Sequence, residues 1–278
     1  MEPRPKSFYV LAAFFALFVL FLYGPTLTIA ILSFQGPKGG LTFPMNGVST
    51  YWFADLFREQ AVGDIWGAFR RSFALGLLVM VTTVVVSVMA GLAFRKRFRG
   101  SGVLFYLAIT SLVIPSILVS LGVGLIFNQL GFKVHWATSG FGAQLTWTQP
   151  FGLLIMFAVF NRFDKSYEEA ARDLGATSWQ TIAHVVLPII APSLIGVALF
   201  GFTLSYDEFA RTLLTAGSYN TLPLEIFGMT TNVTTPVIYA LGTLTTAFSF
   251  LIIGVFLATV WVLGKRRSRL GSDAGKGV

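Results

Sequence analysis

Six long apolar runs, divided by short segments that carry most of the charge, constrain this chain more than any other feature. They cover Phe8–Leu32, Phe69–Phe94, Val103–Phe127, Gly142–Phe160, Ile189–Leu213 and Pro236–Gly264. A helix of about 20 mostly apolar residues crosses the hydrocarbon of a bilayer. There each backbone polar group must be satisfied within the spanning element, which favours helices. The expected fold is therefore all-α integral membrane, with six transmembrane helices. Charged residues are 12% of the chain, half of the roughly 25% usual in soluble domains. The expected organisation is 1–65 as a first helix and external loop, 66–264 as a five-helix core, and 265–278 as a basic tail. No length remains for a soluble catalytic domain.

The first run is too long for a signal-peptide core and lacks a small-x-small cleavage site, so it is read as a retained helix kinked near Gly24-Pro25. The fourth is the least regular. Gln144, Gln149 and Pro150 interrupt it, and Trp147 suits an interfacial anchor. Pro115, Gly122 and Gly124 interrupt the third. Such breaks occur where a neighbouring helix or a watery cavity satisfies the freed backbone groups, and equally at plain packing sites.

Lys and Arg set the orientation. With the N-terminus inside, the inner segments hold Arg4, Lys6, Arg95, Lys96, Arg97, Arg99, Arg162, Lys165, Arg172, Lys265, Arg266, Arg267, Arg269 and Lys276. The outer side holds Lys38, Arg58, Arg70, Arg71, Lys133 and Arg211. Both termini are expected in the cytoplasm. The net charge of +8 is thus spent on topology, which argues against nucleic-acid binding.

Several chemistries are excluded by what is missing. There is no cysteine, and His135 and His184 have no ligand spacing, so no metal site is expected. Neither H-E-x-x-H nor G-x-S-x-G occurs. No G-x-x-x-x-G-K-[ST] phosphate loop is present, since Gly275-Lys276 is too short and too late. No catalytic residue and no bound cofactor are expected in this chain.

The informative loop is Asn161 to Pro188, between spans four and five. Ser166-Tyr167-Glu168-Glu169 fits a capping box, with Ser166 at the N-cap and Glu169 three residues on. Ala170 and Ala171 continue a short helix, and Gly175 is placed to end it in a left-handed cap. A second short helix starts at Thr177 or Ser178 and runs to about Val186, where Leu187-Pro188 stops it and turns the chain into span five. The small side chains of Ala170 and Ala171 permit close approach of another surface. A helix-turn-helix at the cytoplasmic face suits a docking knob, and equally an ordinary hairpin between spans.

At this point the sequence resembles a known family. Glu169-Ala170-Ala171-x3-Gly175-x9-Val185-x-Leu187-Pro188 is similar to the EAA motif of inner-membrane permease subunits of binding-protein-dependent ABC importers. Val185 stands where the family most often has Ile, and the linker from span four to Glu169 is short. The runs Phe202–Phe209 and Thr221–Met229 look like those of spermidine/putrescine permeases, the C-type subunit above all. Permeases for iron, sulfate-like anions, opines, amino-acid derivatives and phosphonates share parts of them. The resemblance implies that Glu168, Glu169, Ala170, Ala171, Asp173, Gly175, Leu187 and Pro188 couple the chain to an ATPase. It also implies two copies of a P-loop ATPase that uses ATP and Mg, a second homologous permease, and a periplasmic or extracytoplasmic solute-binding protein, all at a bacterial inner membrane. The first-guess solute is a polyamine.

Tyr206, Asp207 and Glu208 are the candidates for a substrate path. At 1.5 Å rise per residue the two acids fall in the outer half of span five, where intramembrane carboxylates mark polar paths or paired charges. A carboxylate would offset the lost hydration of an ammonium group. Against that role, Glu208 lies one turn from Arg211 and could simply pair with it. An ion-coupled secondary transporter would use such acids directly. The loop motif, the small size and the lack of inverted repeats weigh against that class.

Overall fold

The computed structural model describes residues 5–58, 63–96, 98–232 and 235–274. Arg4, Arg97, Gly275 and Lys276, used above for orientation and for the phosphate-loop test, lie outside them. Every regular element among the described residues is helical: α1 (Lys6–Leu32), α2 (Tyr51–Asp55), α3 (Ile65–Phe94), α4 (Ser101–Thr110), α5 (Ser116–Gln129), α6 (Phe141–Asn161), α7 (Ser166–Asp173), α8 (Ser178–Thr181), α9 (Leu187–Tyr206), α10 (Leu222–Asn232) and α11 (Val237–Ala274). Five helical stretches are long and apolar enough to cross a membrane: Lys6–Leu32, Ile65–Phe94, Trp136–Asn161, Ser178–Tyr206 and Val237–Val262. The third predicted span is instead two shorter apolar helices, α4 and α5, parted just before Ser116, with Pro115 at the N-cap of α5. Proline disfavours helical backbone in the residue before it and has no N–H to give.

The chain divides into two compact units, Met1–Gly63 with Ile226–Phe250, and Asp64–Glu225 with Leu251–Val278. In the first unit α1 runs unbroken through Pro25, and most of its side chains are exposed, as lipid-facing positions are in an isolated chain. The following loop is pinned from inside. The buried Gln35 side chain donates to Gly40 O (3.2 Å) and accepts from Asn46 N (2.7 Å). Tyr239 Oη closes the loop on Leu41 O at 2.7 Å.

In the second unit α3, α6 and α9 pack together through small residues. Along α3 the buried positions are Ile65, Ala68, Ser72, Leu75, Gly76, Val79, Thr83, Ser87 and Gly91, mostly at the three-to-four spacing of one helix face. A Cβ on Gly76 would meet Phe202, one on Gly91 would meet Phe160, and one on Gly152 would meet Ser87. Such close approach is how helices associate where hydrophobic exclusion no longer drives them together. Thr83 Oγ1 donates to Thr148 Oγ1 at 2.9 Å across α3 and α6. Nearer the other end of these helices, Met156, Phe160, Val186, Ile190 and Val197 form an apolar core.

Proline breaks fewer helices than the sequence suggests. Pro150 sits inside α6. The amide it lacks would have bonded Thr146 O, and that carbonyl instead accepts from Ser111 Oγ at 2.7 Å. Leu187-Pro188 does not stop the helix before it, contrary to expectation. The chain is helical from Ser178 to Tyr206, with a π-helical turn at Ile182–Val186 immediately before the proline. The wider turn accommodates a ring that clashes with the preceding turn and leaves a carbonyl unpaired. At the other end span five stops at Tyr206, not Leu213, so Asp207 and Glu208 fall after the helix. Residues 265–274, expected as a tail, continue α11.

Candidate functional site

The hairpin α7–α8 is built by local chemistry. Ser166 does not cap α7 as expected, being its first helical residue. Lys165 is the N-cap and makes no side-chain capping bond, and the Asp164 carboxylate one residue before it accepts the Ser166 N–H at 3.0 Å. That bond and the Ser166 hydroxyl hold the Asp164 carboxyl below its ordinary value of 3.8. Gly175 ends the helix at φ +84°, where a residue with a Cβ is strained. Ala176 N donates to Ala171 O (3.0 Å) and Gly175 N to Arg172 O (2.8 Å), the paired bonds of a Schellman cap. Two residues later Thr177 opens α8 with a reciprocal capping box to Gln180.

The residues that the motif groups together divide by direction. Glu168 faces inward with only 13% of its side chain exposed. It pairs with Arg95 at the end of α3, and Arg172 stands 3.8 Å from its other oxygen. The Arg95 guanidinium lies over the rings of Phe160 (5.1 Å) and Phe163 (5.2 Å), so the hairpin is tied to the ends of two long helices. Glu169, Ala170, Asp173, Gly175 and Pro188 are exposed, and Ala171 and Leu187 are half-buried. Leu174 at 89% and Trp179 at 73% exposure project from the same hairpin. Sequence reasoning passed over both, and over Arg95 and Asp164. An apolar residue within an otherwise polar loop was the available signal.

The second candidate group sits where α9 ends. Tyr206 is buried, its ring stacked on Phe202 at 5.7 Å. Ser205 Oγ donates to Gln144 Oε1, and Gln144 Nε2 donates to Ser205 O at 3.3 Å, joining α9 to α6. Glu208 turns back onto the chain. Its Oε1 accepts the Arg211 N–H at 2.9 Å, and its Oε2 lies 3.7 Å from the Arg211 guanidinium. Arg211, 1% exposed, also donates to Ser116 Oγ at 2.7 Å and stacks over Trp147 at 4.5 Å. Ser120 Oγ donates to Arg211 O and accepts from Leu214 N, so the turn after α9 is fastened to α5 and α6. Asp207 is exposed, and its carboxylate makes no hydrogen bond or ion pair among the described residues. The structure thus separates the acidic pair into a structural Glu208 and an unengaged Asp207.

Among the described residues no group of three or more His, Asp or Glu side chains could hold a metal. Residues 83–264 match the model of a family described as binding-protein-dependent transport system inner membrane component. The putrescine transport system permease protein PotI of Escherichia coli (strain K12) is 30% identical over 232 residues, 81% of each chain. The spermidine/putrescine transport system permease protein PotC of Haemophilus influenzae is 28% identical over 254 residues, 89% of this chain and 95% of that one. Among solved structures, a bacterial ABC transporter involved in import of the acidic polysaccharide alginate aligns with a TM-score of 0.64 at 16% identity. That alignment covers 97% of this chain and 99% of the other. The MetNI methionine ABC transporter aligns with a TM-score of 0.55 at 17% identity, over 72% and 94%.

Proposed function

This chain belongs to the family of binding-protein-dependent transport system inner membrane components, and from that membership we propose that it forms half of the translocation path of an ATP-driven importer for polyamines. It is a multi-pass membrane protein and a permease subunit. The observation that carries the coupling role is the exposed face of α7–α8. Leu174, Trp179, Glu169, Ala170, Asp173 and Gly175 face outward, while Glu168 and Arg95 hold the hairpin to the membrane helices. A surface that exposes Leu174 and Trp179 and is fixed to the ends of two long helices is suited to pass a push from a partner into the bundle.

In this reading the partner is a P-loop ATPase in two copies, which supplies the ATP and Mg chemistry. A second permease of the same family completes the path, and an extracytoplasmic binding protein delivers the solute. Both termini and the α7–α8 hairpin lie in the cytoplasm, and α4 with α5 together make the sixth crossing. The polyamine assignment is supported by the similarity to the two permeases named above, and by an exposed Asp207 carboxylate free to meet an ammonium group. The test is co-purification. The chain expressed with its partner subunits should retain the ATPase through affinity purification, and replacing Trp179 with Glu should release it. An ATPase equally retained by that variant would place the docking surface elsewhere.

A further inference from the structure

The ends of α3 and α6 nearest the hairpin hold a feature that ATPase docking does not explain. A cleft of about 430 Å³ is lined by Arg95, Lys96, Lys165 and Arg172 with Glu168 as its one acid. Beside it a cleft of about 200 Å³ shares Arg95 and Lys165 but is walled by Phe94, Phe157 and Phe160. Glu168 is already engaged by both arginines. Lys96 and Lys165 form no ion pair among the described residues. Four cations therefore line a cleft that holds one carboxylate, at the level where two membrane-crossing helices end. An anion entering between them would offset the mutual repulsion of these cations.

We propose that the two neighbouring clefts bind an anionic phospholipid, its phosphate and headgroup among Lys96, Lys165 and Arg172, its first acyl carbons against the phenylalanine wall. A cationic pocket alone would suit any phosphate. The adjoining aromatic wall, and the position at the ends of α3 and α6, select an amphiphile. Basic residues at a membrane surface each favour anionic lipid by roughly fivefold. The bound lipid would bridge the end of α3, through Lys96, to the start of α7, through Lys165. The inference rests on α3 and α6 as membrane spans, and is independent of the solute and of ATPase docking.

Native mass spectrometry of the purified transporter assembly tests this, titrating phosphatidylglycerol, then phosphatidylcholine, then inorganic phosphate as competitor. Phosphatidylglycerol should be retained ahead of phosphatidylcholine, and millimolar phosphate should not displace it. The double variant Lys96→Gln/Lys165→Gln should lower retained phosphatidylglycerol by roughly thirtyfold, with phosphatidylcholine adducts unchanged as a check on folding. The charge-matched variant Lys6→Gln/Lys265→Gln should not lower it. Equal loss in the control pair would reduce the effect to general surface attraction. Displacement by phosphate would make this a free-anion site, and equal retention of both lipids would remove the site altogether. Any of these three results overturns the proposal.

Discussion

The Glu208 carboxylate lies 3.7 Å from a guanidinium that is almost wholly buried, and it also accepts the backbone N–H of the same arginine. Removing one member of a buried pair leaves the other charge uncompensated, which costs about 3 kcal/mol. Glu208→Ala should therefore lower the melting temperature in detergent, while solute selectivity among assembled transporters stays unchanged. Asp207 should behave in the opposite way. Its carboxylate supports no other group among the described residues, so Asp207→Asn should reduce uptake several-fold while size-exclusion profiles of the assembly match the wild type. Full uptake by that variant would remove Asp207 from the path. The sequence placed both acids inside a helix because hydropathy continues to Leu213. The turn that follows Tyr206 is fastened by long-range contacts of Arg211 with Ser116, Ser120 and Trp147, which no local pattern records.

At the level of the element, the hairpin is held by caps whose geometry is local, and it was correspondingly legible. Gly175 as a left-handed terminator and the start of a second helix at Thr177 or Ser178 follow from residue type alone, whereas the end expected near Val186 does not occur. Ser166 is not the N-cap of α7 because the helix starts one residue sooner, with Lys165 at the N-cap and the Asp164 carboxylate accepting the Ser166 N–H. The effect of Pro188 was misjudged because a π-helical turn absorbs it. Gly175→Glu should cost only about 1–2 kcal/mol of local strain, since open space surrounds the position. It should nevertheless abolish ATPase retention in pull-downs, with the membrane fold preserved by circular dichroism. The Asp164 carboxyl is held below 3.8 in the folded chain. Its contribution is complete above that value and is lost as pH falls through the lower folded one. ATPase retention should therefore be indifferent to this carboxyl from pH 8 to about 5, weakening only below about 4, and Asp164→Asn should blunt that acid loss.

Across the whole molecule, apolar runs and basic clusters were enough to read an all-helical membrane chain, and the loop motif was enough to read its family. The packing of α3, α6 and α9 through Gly76, Gly91 and Gly152 was not legible, because small residues in an apolar run look the same whether they face a helix or lipid. The split of the third span at Pro115 was legible as an interruption but not as two separate helices. In the proposed reading the work of such a scaffold depends on movement delivered at α7–α8 and expressed along the solute path. Uptake of labelled spermidine and putrescine into liposomes tests that most directly, with the chain and its partner subunits in the bilayer, ATP inside and the binding protein outside. The account predicts accumulation that requires ATP and is lost with Gly175→Glu. Accumulation driven by an ion gradient without ATP, and untouched by that substitution, would contradict it.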